Sequence, residues 1–151
     1  MRLKDRLLTG VVVGIWFTCD GVSLVSAGET RWVPIEDAYQ IPSLYTVYVD
    51  PDFIGLGGSV VVLRQLTDYL WMQGNAGFGR FGPGPHRFFS TVTRKEVHCA
   101  DKRVRLLAFT EFSYHMGTGR PAEGFVDQSQ WFPIEPASIN EGLWKIACSQ
   151  R

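Results

Sequence analysis

The cysteines place the strongest constraint on what this chain can fold into. There are three, Cys19, Cys99 and Cys148. Cys19 falls within an N-terminal segment that resembles an export signal, so only Cys99 and Cys148 remain in the processed chain, where an oxidising compartment allows them a single intramolecular pairing. Their bridge would close a loop of about 50 residues, which the chain-entropy model values at about 4 kcal/mol. In a reducing compartment, two free buried thiols are expected instead.

Residues 1–27 have the organisation of a signal peptide. Three basic residues within the first six precede an uncharged stretch from Leu7 to Cys19. That stretch is shorter than the roughly 20 apolar residues that span a membrane as a helix. The small residues Val25-Ser26-Ala27 suit cleavage before Gly28. We therefore predict a cleaved signal over 1–27, a single domain over 28–151, and no transmembrane segment after cleavage.

Lipidation of Cys19 is the alternative interpretation of the N-terminus. A cysteine directly after an apolar run can be the modified residue of a bacterial lipoprotein. Lipoprotein signal peptidase prefers small residues before that cysteine, whereas this chain has the bulky Trp16 and Phe17. The sequence therefore favours a signal that is cut away together with Cys19.

Charge and composition exclude some classes of partner. The 151 residues carry 15 basic and 15 acidic side chains, so the formal net charge is zero. Such a chain has no general attraction to nucleic acid or to anionic lipid. With 45% hydrophobic residues it can build a core as one domain.

Most of residues 28–151 have the period-two alternation and the β-branched and aromatic runs of strands. The Ala100-Asp101 turn joins two of these runs into an antiparallel hairpin. We predict an α+β protein with a single antiparallel sheet of about six strands. The predicted strands are Arg31–Glu36, Tyr45–Asp50, Ser59–Leu70, Arg87–Cys99, Lys102–Tyr114 and Phe125–Ile134.

One helix is predicted at the C-terminal end. Ser138 and Glu141 have the spacing of a capping box, and apolar residues then recur at helical intervals through Ala147. A helix of about 11 residues is marginal alone, so packing on one face of the sheet and the bridge through Cys148 would hold it.

The segment from Gln73 to Arg87 is predicted to be a loop because glycine and proline recur through it. Residues 77–82 match G-x-G-x-x-G, but Pro83 stands where a nucleotide-binding helix would begin, so no nucleotide cofactor is expected. Phe78, Arg80 and Phe81 are candidate partner-binding residues, since interleaved aromatic and basic side chains suit an adaptable contact surface.

Catalytic and metal-binding patterns are weak. The three histidines share no ligand spacing, so no metal is predicted, and no hydrolase motif occurs. Asp50, Asp52 and Asp68 could serve an acid–base site, although their spacing is also typical of polar turns. Only their convergence in one pocket would favour an enzyme, so we predict a non-enzymatic protein without catalytic residues or cofactors.

Basic residues crowd the two arms of the predicted hairpin. They are further candidates for partner contact, and the partner would be an acidic protein surface or a sulfated glycan. Strand alternation divides the set between the two faces of the sheet, so one patch can hold only part of it. A solvated strand face without a partner is the alternative. The residues are Arg94, Lys95, Lys102, Arg103 and Arg105.

Short motifs spread over almost the whole processed chain give it a resemblance to the bacterial surface-adhesin protein E family. That resemblance implies an antiparallel sheet with a C-terminal helix tethered by the disulfide. It also implies a secreted or surface protein of a Gram-negative bacterium that adheres to host or matrix proteins. The motifs are Tyr48-Val49-Asp50, Leu66-Thr67-Asp68-Tyr69, Glu96 to Ala100 with Arg103 and Arg105, Trp131, and Pro136-Ala137-Ser138 with Cys148.

The functional expectation is therefore an exported, adhesin-like binding protein in the periplasm or at the outer cell surface. Its partner would be a protein, such as a host extracellular-matrix protein, or a sulfated glycan. The alternative is a periplasmic structural or envelope-associated protein that has no host ligand.

Overall fold

The computed structural model of this protein describes residues 30–57, 59–75 and 86–149. These residues form one antiparallel sheet and one α-helix, as the sequence predicts. The predicted signal segment and Cys19 lie outside the described residues. The strands are β1 Val33–Pro34, β2 Tyr45–Val49, β3 Gly55–Gly57, β4 Val60–Asn75, β5 His86–His98, β6 Arg103–Phe112, β7 Pro121–Gly124 and β8 Phe132–Pro133, and the helix is α1 Ile139–Cys148.

Six strands form the main path of the sheet, in the order β1-β2-β4-β5-β6-β7. The short strand β3 pairs with β4, and β8 pairs with β6. The long hairpin of β4 and β5 occupies the centre, because β2 and β6 pair with its outer edges. This arrangement confirms the predicted single antiparallel sheet of about six strands and adds two short ones.

The two faces of the sheet differ in what covers them. On the face that we call the helix face, Val61, Leu63 and Val97 are almost completely buried together with Leu143 of α1. Successive side chains alternate between faces, so the residues between them point the other way. That second face, which we call the open face, carries Arg64 of β4 and several charged side chains of β5 and β6.

Helix α1 is capped as the sequence predicts. The Ser138 side chain accepts a hydrogen bond from the Glu141 backbone N–H at 3.2 Å. The Glu141 carboxylate accepts in turn from the N–H of Ala137 at 2.8 Å, one residue earlier than a standard capping box. Leu143 and Ala147 are buried against the sheet. The apolar residues of the amphipathic pattern thus form the contact between the helix and the sheet.

The predicted disulfide is confirmed, since Cys99 and Cys148 are bonded with their Cα atoms 5.8 Å apart. Cys99 follows the last residue of β5, so the bridge joins the end of α1 to a central strand. The Trp144 indole N–H also donates to the Cys99 carbonyl at 3.1 Å. Covalent and hydrogen-bonded links therefore act at the same corner of the sheet.

The predicted strand over Phe125–Ile134 is wrong for most of its length. Strand β7 ends at Gly124, and only Phe132–Pro133 of the predicted range pairs with β6. Between them, the Asp127 carboxylate accepts from the Ser129 N–H at 2.9 Å, a side-chain turn that replaces strand pairing. Phe125 is 86% exposed, so its β propensity is not matched by a place in the core.

The predicted loop over Gln73–Arg87 is too long. Strand β4 continues to Asn75 and β5 begins at His86, so Gln73 and Arg87 belong to paired strands. The extension passes a register shift between Asp68 and Gln73, where four residues of β4 lie opposite one residue of β5. The loop was predicted too long because the glycines that begin at Gly74 are typical of loops, although Gly74 belongs to β4.

We predict that Cys99→Ser/Cys148→Ser lowers the free energy of unfolding by about 4 kcal/mol, because the unfolded chain regains the loop entropy that the bridge removes. Urea unfolding without reductant measures this. Thiol titration of the unreduced, denatured full chain should find one reactive thiol, that of Cys19. Three reactive thiols would contradict the bridge.

Gly142 is predicted to be required for the close approach of α1 to Tyr39. A Cβ at Gly142 would lie 2.7 Å from the Tyr39 Cδ2 atom. Gly142→Ala should therefore destabilise the protein by about 1–3 kcal/mol through overpacking, although alanine favours helices by about 1 kcal/mol. Thermal unfolding in a Gly142→Ala, Tyr39→Ala double-mutant cycle checks this, because the penalty should vanish once the ring is absent.

Candidate functional site

The candidate basic residues divide between the two faces of the sheet. Arg94, Arg103 and Arg105 share the open face, since Arg105 pairs with Glu96 and Arg103 with His98 in the β5–β6 register. Arg94 is exposed and makes no ion pair with any described residue. Arg103 is also exposed. The open face is therefore where a partner could meet unneutralised basic side chains.

Arg105 has local partners that occupy much of its guanidinium. Its Nε atom lies 2.5 Å from the Glu96 carboxylate, and the guanidinium carbon lies 4.7 Å from the centre of the Trp131 ring. Arg103 donates to the Trp131 carbonyl at 3.2 Å. Trp131 thus anchors the segment after β7 to the sheet, and Arg105 contributes mainly to that packing.

Lys95 and Lys102 lie on the helix side, away from the open face. The Lys95 ammonium donates to the Asn140 side chain of α1 at 2.8 Å. Burial beneath the helix lowers the pKa of Lys95 to about 8. Lys102, in the turn after β5, lies over the Trp144 ring at 4.5 Å. These two candidates hold the helix to the sheet.

A cleft of about 520 Å³ opens on the open face, and we call it the arginine cleft. Its apolar walls include Trp32, Val92, Phe112 and Met116, and Arg64 supplies a charged side chain. Sites of this volume with few polar groups are typical of small-molecule or side-chain recognition. The sequence alone did not single out Arg64, although an arginine in the apolar run of β4 was a usable signal.

Arg64 is held in place by a buried carboxylate. Asp50 is 3% exposed and accepts from Arg64 Nε at 3.0 Å and also from Arg64 Nη2. The guanidinium carbon lies 4.7 Å from the Phe53 ring centre and 5.6 Å from that of Trp32. This stacking and pairing fix the orientation of the guanidinium, because a planar cation is held both at its edge and over its face.

One wall of the arginine cleft is the short 3₁₀ helix His115–Gly117. Met116 has a φ of 56°, a left-handed conformation that is uncommon outside glycine. Its N–H donates to the Asp68 carboxylate at 2.8 Å, and the Gly117 N–H donates to the buried Ser90 hydroxyl at 2.9 Å. Two strand residues therefore impose the strained shape of this wall.

The three candidate carboxylates do not converge. Asp50 pairs with Arg64, Asp68 supports the wall at Met116, and Asp52 is exposed at 3.9 Å from Arg31. Across residues 30–57, 59–75 and 86–149, no three His, Cys, Asp or Glu side chains are grouped as metal ligands. Each carboxylate instead has a separate structural partner.

An exposed apolar surface, not foreseen from the sequence, lies where β4 bulges. Leu70 and Met72 are about half exposed and Trp71 is 67% exposed. The Leu70 N–H donates to the carbonyl of Leu44, another exposed apolar residue, at 3.0 Å. The register shift of β4 places these side chains outside the core. The candidate residues Phe78, Arg80 and Phe81 lie outside the described residues.

Comparison with known proteins identifies a family and a fold. A family model described as Surface-adhesin protein E matches residues 32–149, a range that contains every motif of the resemblance. No curated protein matches this chain. Within the described residues, no helix has the length and apolar character needed to cross a membrane.

Solved structures of Haemophilus influenzae protein E share the fold. Crystal form II is 14% identical with a TM-score of 0.52, and the alignment covers 78% of this chain and 97% of that chain. A second structure is 14% identical with a TM-score of 0.53, over 79% and 94% of the two chains. A selenomethionine form is 15% identical with a TM-score of 0.52, over 80% and 95%.

Lys95 gives a pH-dependent prediction. Its pKa of about 8 in the folded protein lies below the ordinary 10.5, so between those values the unfolded chain binds more protons. This group therefore makes the free energy of unfolding rise with pH from about 8 to 10.5, and below pH 8 its full burial penalty is present. Lys95→Met should stabilise the protein by about 2 kcal/mol at pH 7, and the gain should shrink by pH 10.

Urea unfolding at both pH values measures that gain. Lys102→Met is the matched control, because it removes an exposed lysine of the same hairpin. An equal effect of Lys95→Met at pH 7 and pH 10 would contradict the assignment.

Proposed function

Because this chain belongs to the surface-adhesin protein E family, we propose that it is an exported, non-enzymatic binding protein that attaches to protein partners at the bacterial envelope. Membership of this family supports an adhesin-like class of function. Residues 1–27 would direct export, and the Cys99–Cys148 bridge supports an oxidising destination, either the periplasm or the outer surface of a Gram-negative cell.

The single observation that carries the contact surface is the exposure of Arg94 and Arg103 on the open face. Helix α1 covers the opposite face, and the part of the open face that carries Arg94 and Arg103 is exposed and available to a partner. Charges of one sign on an accessible surface steer association with an acidic partner and make it sensitive to salt. A host extracellular-matrix protein with an acidic surface, or a sulfated glycan attached to it, has the matching chemistry.

We predict that Arg94→Glu/Arg103→Glu weakens binding to such a partner by about 10-fold or more without unfolding the domain, since both side chains are exposed and charge reversal replaces attraction with repulsion. The measurement is surface plasmon resonance against a panel of purified extracellular-matrix proteins and heparin. Arg105 is left intact because Glu96 would lose its partner.

Arg120→Glu is the charge-matched control, because Arg120 is exposed in the β6–β7 hairpin and lies off the Arg94–Arg103 surface. If the Arg94→Glu/Arg103→Glu variant binds as strongly as the wild-type protein, the basic contact surface is contradicted. Failure of the wild type to bind any member of the panel would contradict adhesion. Added protease on intact cells then separates the locations, because a surface protein is cleaved whereas a periplasmic one is protected.

A further inference from the structure

A second arginine lies opposite Arg64 of the arginine cleft in the strand register. Arg94 of β5 lies directly opposite Arg64 of β4, and Val92, which lines the cleft, is two residues away on the same face. Directly paired strand residues have Cβ atoms about 5 Å apart, so the Arg64 and Arg94 side chains leave the sheet next to each other. Like charges opposite each other destabilise a sheet, and an anion between them would remove the repulsion.

The local charges do not cancel. Asp50 neutralises Arg64, and within the described residues Arg94 has neither an ion pair nor a hydrogen bond through its side chain. No described residue accepts a hydrogen bond from the Nη1 atom of Arg64. One net positive charge and several unused N–H donors therefore remain beside the apolar walls of the cleft.

We propose that the arginine cleft binds a carboxylate side chain of a protein partner, together with an apolar side chain next to it in the partner's sequence. The carboxylate bridges Arg94 and Arg64, and the apolar side chain packs against Trp32 and Phe112. Guanidinium groups bind carboxylates with directional, charge-assisted hydrogen bonds, which supplies the specificity. This inference rests on the proposed function, because it names the chemistry of the partner segment.

The strained backbone of the 3₁₀ wall indicates that the arginine cleft is a preorganised binding site. Met116 is kept in its left-handed conformation by Asp68, and Gly117 is fixed by Ser90, whose side chain is completely buried. Strain that the surrounding structure imposes is concentrated at binding sites, where it fixes the shape of a wall before the ligand arrives. The cleft is thus organised without a partner.

The test uses the purified protein and two matched peptides, Ac-Gly-Phe-Asp-Phe-Gly-NH2 and the same peptide with asparagine in place of aspartate. Binding is measured by NMR titration, with the tryptophan indole and arginine side-chain N–H signals as reporters. The aspartate peptide should bind, and the asparagine peptide should bind about 10-fold more weakly because it lacks the charge. N-acetyl-phenylalanine serves as a third probe, a free carboxylate of small size.

Arg94→Ala should weaken the aspartate peptide by about 10-fold, and Trp32→Ala should weaken both peptides. Arg64 is not varied, because its loss would leave Asp50 buried without its partner. Arg87→Ala, which removes an exposed arginine at the far end of β5, is the control and should change nothing. Thermal unfolding of each variant verifies that the domain remains folded.

Equal binding of the two peptides, or unchanged binding by Arg94→Ala, would overturn carboxylate recognition. Binding of N-acetyl-phenylalanine without binding of the aspartate peptide would overturn the protein segment in favour of a small-molecule ligand. If the matrix panel binds while the peptides do not, only this inference fails. If the peptides bind while the panel does not, only the proposed function fails.

Discussion

The seating of helix α1 on the sheet determines the arrangement of nearly everything else. Leu143 and Ala147 bury the apolar stripe of the helix against Val61, Leu63 and Val97, and this contact makes the two faces of the sheet inequivalent. A helix this short depends on tertiary packing for its stability. Once one face is committed to the helix, every charged residue that alternates with the core must lie on the other face, where Arg64, Arg94, Glu96 and Arg105 are found.

Much of the fold could be predicted because two local patterns agree with it. Period-two alternation identified the long central strands, and the capping box with helical spacing located α1 to within a residue. The disulfide followed from counting cysteines. The prediction failed where side-chain bonding replaced strand pairing, as at Asp127 and Ser129, and where β4 changes its register after Asp68. Neither the side-chain turn nor the register shift alters the local strand propensity of the sequence, so neither could be predicted from it.

The candidate site was harder to predict because its parts are distant in sequence. Asp50 and Arg64 meet only through the pairing of β2 with β4, and Arg94 comes beside Arg64 only through the register of β4 with β5. The basic residues were found from their clustering on the predicted hairpin, and the expected division between faces places Lys95 on the helix side.

The family resemblance is confirmed, and the structure gives its motifs a physical meaning. Asp50, Glu96, Arg105 and Trp131 are members of ion pairs and ring contacts that build the open face. These four of the positions that carried the resemblance therefore take part in assembling that face. Arg94, which none of these contacts uses, remains available to a partner.

The position of the disulfide also determines how the domain would carry a mechanical load. A pulling force applied to the chain beyond Cys148 passes through the sulfur atoms to Cys99 and enters the sheet at the end of β5. The helix and the segment from residue 100 to residue 147 are bypassed, because the covalent link is the shorter path. Strand β5 is paired on both sides by β4 and β6, so tension is shared by two ladders of hydrogen bonds. Helix α1, about three turns long, is therefore spared from shear.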